Sequence, residues 1–269
     1  LIKNHKRRRP AKHQPAHDLD ELYNEIADLR NEVRQLRAEA APQFLNLSKW
    51  LIESEIGSRR NIRFAMEHLA VQESAQLAMT EMLNARSFSH PDDTLAYALS
   101  LAPVGGLALE FGVYSGGTLN QIAKARGDRR VYGFDSFQGL PEAWRADFPA
   151  GAFAVKQLPE VQDAELVVGW FNQTLPGFLQ QHPETVDFLH VDCDLYSSTR
   201  TVFDFVGSRL RVGSVVLFDE FFNYTGWREH EFKAWNEYVQ SSGTRFCYEA
   251  YTFNNEQVAL RILETPNHP

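Results

Sequence analysis

The stretch LALEFGVYSGGTLNQIAKA, residues 107–125, decides the fold. An apolar run carrying one acid, Glu110, closes at Gly112, and the paired glycines Gly116 and Gly117 open a helix-length segment. A strand that passes through glycines straight into a helix is the first half of a β-α-β unit. Glycine lets the backbone turn tightly and lets a ligand approach where a Cβ would stand in the way. The spacing is G-x-x-x-G-G rather than the G-x-G-x-x-G of dinucleotide binders, and a plain tight turn explains such glycines almost as well.

Outward from this stretch the rhythm repeats. LALEFG, RVYGFDS, AELVVGW, VDFLHVD and GSVVLFDE are short apolar runs, most of them followed by a helix-length segment. TRFCYEAYT and QVALRIL are separated only by the turn FNNE. Alternation of this kind predicts an α/β fold over residues 105–269, a doubly wound, mostly parallel sheet of seven strands in which the closing hairpin supplies one antiparallel strand. Ligands of such sheets bind outside the carboxyl ends of the strands.

The preceding third of the chain reads differently. Residues 1–17 are basic, Pro-containing and poor in apolar side chains, which predicts a disordered tail. Over residues 18–40, Leu19, Leu22, Ile26, Leu29, Val33 and Leu36 recur at alternating steps of three and four. This is a heptad seam with Leu19, Ile26 and Val33 at a and Leu22, Leu29 and Leu36 at d. Glu25 and Glu32 fall at g, and Arg30 and Arg37 at the following e, where charges pair between parallel chains. A homodimer through residues 19–36 is expected, although an amphipathic helix folded onto its own domain would show a similar stripe. Residues 41–104 read as a cap of helices.

The 43% hydrophobic and 23% charged composition is that of a globular protein, without an apolar run long enough to span a bilayer. Net charge is −8, with the positive charge concentrated in the first dozen residues, so the body is not expected to bind nucleic acid. The basic start leads into no apolar core of a secretory signal. Cys193 and Cys247 lack the spacing of a zinc site or disulfide framework, which suits a reducing, cytoplasmic setting.

The strand ends carry the chemistry. Asp135 closes the second strand, 18 residues after Gly117. There an acid can accept from both hydroxyls of a ribose, or it can cap a following helix. Ser136 adds a polar contact and Phe137 an apolar face for a base. Gly169, Trp170 and Phe171 follow the third strand as either the far wall of an adenine pocket or core. Asp192 and Asp194 end the fourth strand, and Asp219 and Glu220 the fifth. Unpaired burial of so many like charges is prohibitive, and a divalent cation such as Mg²⁺ resolves the conflict while leaving one acid free as a base. Capping of the next helices is the alternative for one pair.

EFGVYSGGT, VYGFDSFQGLPE, VGWFNQTLP, LHVDCDLYSSTRTV and VLFDEFFNYTGWREHEFKAW, in this order, resemble blocks of the macrocin O-methyltransferase type of class I S-adenosylmethionine-dependent methyltransferases, which modify sugar hydroxyls. The resemblance covers roughly residues 75–262. It implies that Glu110, Gly112, Gly116 and Gly117 hold the methionine and ribose part of S-adenosylmethionine. Asp135 would meet the ribose hydroxyls, with Phe137 and Trp170 around the adenine. It further implies Asp192, Asp219 and Glu220 as Mg²⁺ ligands and Asp194 as general base. The family's acidic pair is commonly Asp-Asp, so Asp219-Glu220 is a departure. The expected function is Mg²⁺-dependent O-methylation of a sugar or glycosylated small molecule. A catechol-type diol acceptor, or a non-catalytic scaffold dimerised by its coiled coil, are the alternatives.

Overall fold

The computed structural model describes residues 15–127 and 130–265. Two units emerge, Leu1–Phe64 and Ala65–Pro269. Of the tail expected over residues 1–17, positions 1–14 lie outside the described residues.

The first unit holds helix α1, Pro15–Arg60, which runs on past residue 40 through Pro42. At 1.5 Å per residue it is about 69 Å long. The six heptad residues from Leu19 to Leu36 are all exposed along it.

Helix α2, Ile62–Glu81, begins in the first unit and runs on in the second, where it buries Ala70, Ser74 and Leu77, a single face at helical spacing. It is followed by β1, Arg86–Phe88, and α3, Pro91–Leu101. The alternating series is β2, Leu107–Phe111; α4, Gly117–Arg126; β3, Val131–Asp135; β4, Glu165–Val168; and α5, Phe171–Gln181. It continues as β5, Val186–Val191; α6, Tyr196–Val206; β6, Leu210–Phe218; α7, Glu231–Ser242; and the hairpin β7, Arg245–Thr252, with β8, Val258–Glu264.

The sheet has eight strands, not the expected seven, in the order β1-β7-β8-β6-β5-β2-β3-β4. The additional strand is β1. Its three residues, RSF, have no alternation to read, and its ladder is supplied by Ala250, Tyr251 and Thr252 of β7. Only β8 runs antiparallel to its neighbours, as the closing hairpin predicts.

Both faces of the sheet are covered. Leu107, Leu109 and Phe111 of β2 pack with Leu175 and Phe178 of α5, Val202 and Phe203 of α6 and Trp235 of α7. Ala108 packs in a separate core with Leu95 and Ala98 of α3 and Leu119 and Ile122 of α4. Side chains of a strand alternate between faces, so one strand seeds both cores. Chain order reverses between β2 and β5, and the crevice of a doubly wound sheet opens at such a point.

Candidate active site

At that switch point the ends of β2 and β5 touch. Asp192 N–H donates to Phe111 O at 2.8 Å and Gly112 N–H to Phe134 O at 3.0 Å. A Cβ on Gly112 would lie 1.6 Å from Asp192 O, and its φ of +92° lies in the region only glycine enters freely. Gly112 is therefore required by the approach of two strands. Gly116, at φ +77°, stands as the N-cap of α4, and Gly117 begins that helix.

Beside this contact lies a cavity of ≈ 300 Å³. Of the residues expected at the site, Gly112, Asp135, Ser136, Trp170, Asp192, Asp194, Asp219 and Glu220 line it. Glu110, Gly116, Gly117, Phe137 and Gly169 do not. Phe137 is buried in the core formed with α3 and α4, so its ring presents no free face to a base. Phe171, expected as pocket wall or core, lines it as well; Tyr114 and Phe153 add aromatic wall, and Leu140 and Pro141 come from the helix-free segment 136–164. That segment could not be read as a wall because it has no periodicity.

Asp135 is partly engaged. Its Oδ2 accepts the N–H groups of Val113 and Tyr114, both at 2.9 Å, and its Oδ1 accepts that of Phe137 at 2.7 Å. A carboxylate offers about four acceptor positions, so one, on Oδ1, is left for a ligand hydroxyl. It caps no helix, since a strand follows segment 136–164.

The acids at the ends of β5 and β6 are not helix caps either. The N-cap of α6 is Leu195 and that of α7 is His230, and neither helix has a side-chain cap. Asp194 has φ +62°, an uncommon conformation for a residue with a Cβ. Burial, then repulsion from Asp219, raises its pKa to about 7, against the opposing pull of Arg145. Burial and the neighbouring Asp219 likewise push Asp192 and Glu220 well above the ordinary carboxylate range. Asp219 is held below that range: burial raises it, but His190 and the Gln257 amide, which donates to its Oδ1 at 2.5 Å, outweigh the effect.

Two further residues belong to this centre: His190, which the sequence does not single out, and Glu231, whose helix start GWREHEFKAW reads as a substrate contact or as structural. His190, 1% exposed, places Nδ1 2.9 Å from Glu110 Oε1 and Nε2 3.8 Å from Asp219 Oδ1. Burial works against its charge, yet the two carboxylates hold its pKa well above the usual value. Glu231, wholly buried, accepts the Glu220 N–H at 3.2 Å through Oε2. In sequence, His190 is one polar letter inside an apolar run, and Glu231 lies within a helix start that reads equally well as structural.

Among the described residues, the atoms that could hold a metal ion are those of His190, Asp192 and Asp219, all within 4.8 Å of one another. Glu220 stands outside this group, and its Oε2 is buried without a partner. Glu110, Asp192 and Asp219 thus act on one buried imidazole, and Asp194, Glu220 and Glu231 repel the same group of acids. A surplus of buried carboxylate oxygens fits a hard divalent cation.

Residues 109–221 match the model of a family described as a methyltransferase domain. The fold is shared with the calicheamicin methyltransferase CalS11, whose crystal structure is 24% identical in sequence. That likeness covers 72% of this chain and 91% of that one, with a TM-score of 0.51. Among curated proteins the chain is similar to the 8-demethyl-8-(2,3-dimethoxy-alpha-L-rhamnosyl)-tetracenomycin-C 4'-O-methyltransferase of Streptomyces olivaceus. The two are 30% identical over 48% of this chain and 59% of that one. The chain thus spans about three fifths of the length of this relative.

Proposed function

We propose that the chain transfers a methyl group from S-adenosylmethionine to a hydroxyl of a sugar or glycosylated small molecule, with Asp194 as the general base. The observation that carries this reading is Asp194 itself. It lines the cavity beside Asp192 and Asp219 with a pKa of about 7, near the value at which a general base works best at neutral pH.

S-adenosylmethionine would supply a methyl group on a positively charged sulfur, which an acid-rich cavity favours. Trp170, Phe171, Tyr114 and Phe153 offer apolar surface to an adenine, and the remaining acceptor position of Asp135 suits a ribose hydroxyl. Mg²⁺ held by Asp192 and Asp219, with Glu220 beside them, would supply Lewis acidity to the acceptor hydroxyl. Asp194 takes the hydroxyl proton as the oxygen bonds to the methyl carbon and the carbon–sulfur bond breaks. His190 keeps Asp219 ionised. The products are a methyl ether and S-adenosylhomocysteine. The rhamnosyl-tetracenomycin-C 4'-O-methyltransferase named above supports a glycosidic acceptor by analogy.

The same reading includes a parallel homodimer through residues 19–36, supported by the exposed heptad seam and its Glu–Arg flanks. Incubation with methyl-labelled S-adenosylmethionine, Mg²⁺ and a panel of glycosides tests the activity. Label should enter an acceptor with vicinal hydroxyls, and EDTA should stop it. Failure of every glycoside, with S-adenosylmethionine shown to bind, would remove the sugar from the reading.

A further inference from the structure

Beyond Leu36 the described surface of α1 stays apolar. Phe44, Leu47, Trp50 and Leu51 are 71%, 54%, 62% and 53% exposed, a density of large side chains that a solitary helix has no means of covering. An unbroken heptad would place Gln43 at d, Leu47 at a and Trp50 at d. Taking instead a four-residue step twice, from Leu36 to Ala40 and from Ala40 to Phe44, puts Phe44, Leu47 and Leu51 in line, and the next positions are Ser54 and Ser58. Insertion of four residues in this way locally unwinds a coiled coil towards a straight path and keeps the stripe on one face.

The sequence marks the same point. Pro42 lies within the second step, inside the helix, and removes one backbone bond there. From Ala40 it is two residues on, away from the seam, so its ring does not obstruct a second helix. On the other side of the break, Ile26, Leu29 and Val33 form a shallow groove edged by Arg30, Arg34 and Arg37, complementary to the Glu25 and Glu32 that a second copy would bring.

We infer that the face Leu19–Leu51 of α1 is one continuous docking surface for the α1 helix of a second copy of this chain, shifted in register at Ala40–Phe44. It rests on the dimer proposed above and extends it from 18 residues to 33, about 50 Å of helix. The occupant is a parallel second copy, because the flanking charges pair Glu with Arg only across a parallel, in-register seam.

Single cysteines introduced into the full-length chain at Leu29, Leu51 and Trp50 test it by mild oxidation and non-reducing electrophoresis. The unsubstituted protein, with Cys193 buried and Cys247 half-buried, gives the background. Leu29→Cys and Leu51→Cys should cross-link at least about five-fold more than Trp50→Cys, because only facing positions bring two Cβ atoms within disulfide reach. Cross-linking of Trp50→Cys equal to or above that of Leu51→Cys would overturn the register shift. Cross-linking of Leu29→Cys alone would end the seam near Leu36 and leave the shorter dimer standing. No cross-link above background at any site would overturn the dimer itself.

Discussion

At the scale of the residue, the proposed reading gives the two aspartates that follow β5 different work. Asp194→Asn should reduce turnover by about 10²- to 10⁴-fold, the usual contribution of a positioned base. Calorimetry should find S-adenosylmethionine binding unchanged, because the side chain keeps its size. The logarithm of kcat/KM should rise with pH and level off at about pH 7, where burial and Asp219 set the Asp194 pKa; in Asp194→Asn that rise should vanish. Asp135→Ala should weaken cofactor binding and loosen the Val113–Tyr114 turn at once, visible as a lower melting temperature. The acids were legible because four carboxylates closing apolar strands create an electrostatic conflict that demands an answer. His190 and Gln257 were not, since each is a single polar residue whose meaning comes from partners distant in sequence.

At the scale of the element, the strand–glycine–helix stretch disclosed its role, and β1 did not. Five fully buried residues of β2 carry their own signal, whereas three residues of β1 take their structure from β7. Gly112 makes the close contact between β2 and β5 testable. Gly112→Ala must displace the Asp192 carbonyl as well as adopt an unfavourable φ. A loss of about 3 kcal/mol or more of stability is expected in denaturant titration, together with loss of activity. Leu77 of α2, 6% exposed, packs in the same core as Phe221 and Phe222 beyond β6. Leu77→Ala should therefore cost about 2–5 kcal/mol.

At the scale of the molecule, the doubly wound order follows from alternation in the sequence, while the wall formed by residues 136–164 does not, having neither helix nor strand to announce it. The buried acids also make stability depend on pH. Asp194 binds its proton more tightly folded than unfolded, and Asp192 and Glu220 shift in the same direction. Between about pH 4 and 7 the native state then holds more of these protons, so their contribution to stability falls as pH rises. Metal-free protein should melt at a lower temperature at pH 8 than at pH 5.5 on this account. Mg²⁺ at about 100 times its dissociation constant should restore about 2.7 kcal/mol at the higher pH.

The amide of Gln257 reaches Asp219 at the end of a buried relay. Thr94 of α3 meets Thr252 at 2.7 Å, Thr252 donates to Gln257 Oε1 at 2.9 Å, and Gln257 donates to Asp219. Because Thr252 spends its only proton on Gln257, Thr94 must be the donor to Thr252, and every bond in the relay points toward the acid. The orientation of the amide, and with it the charge presented at Asp219, is thus governed from a helix that contributes nothing to the cavity wall. Inheritance of the centre accordingly extends to Thr94: a Thr94→Val lineage would keep every cavity-lining residue and still change the hydrogen bonding at Asp219, and with it the affinity for the proposed Mg²⁺.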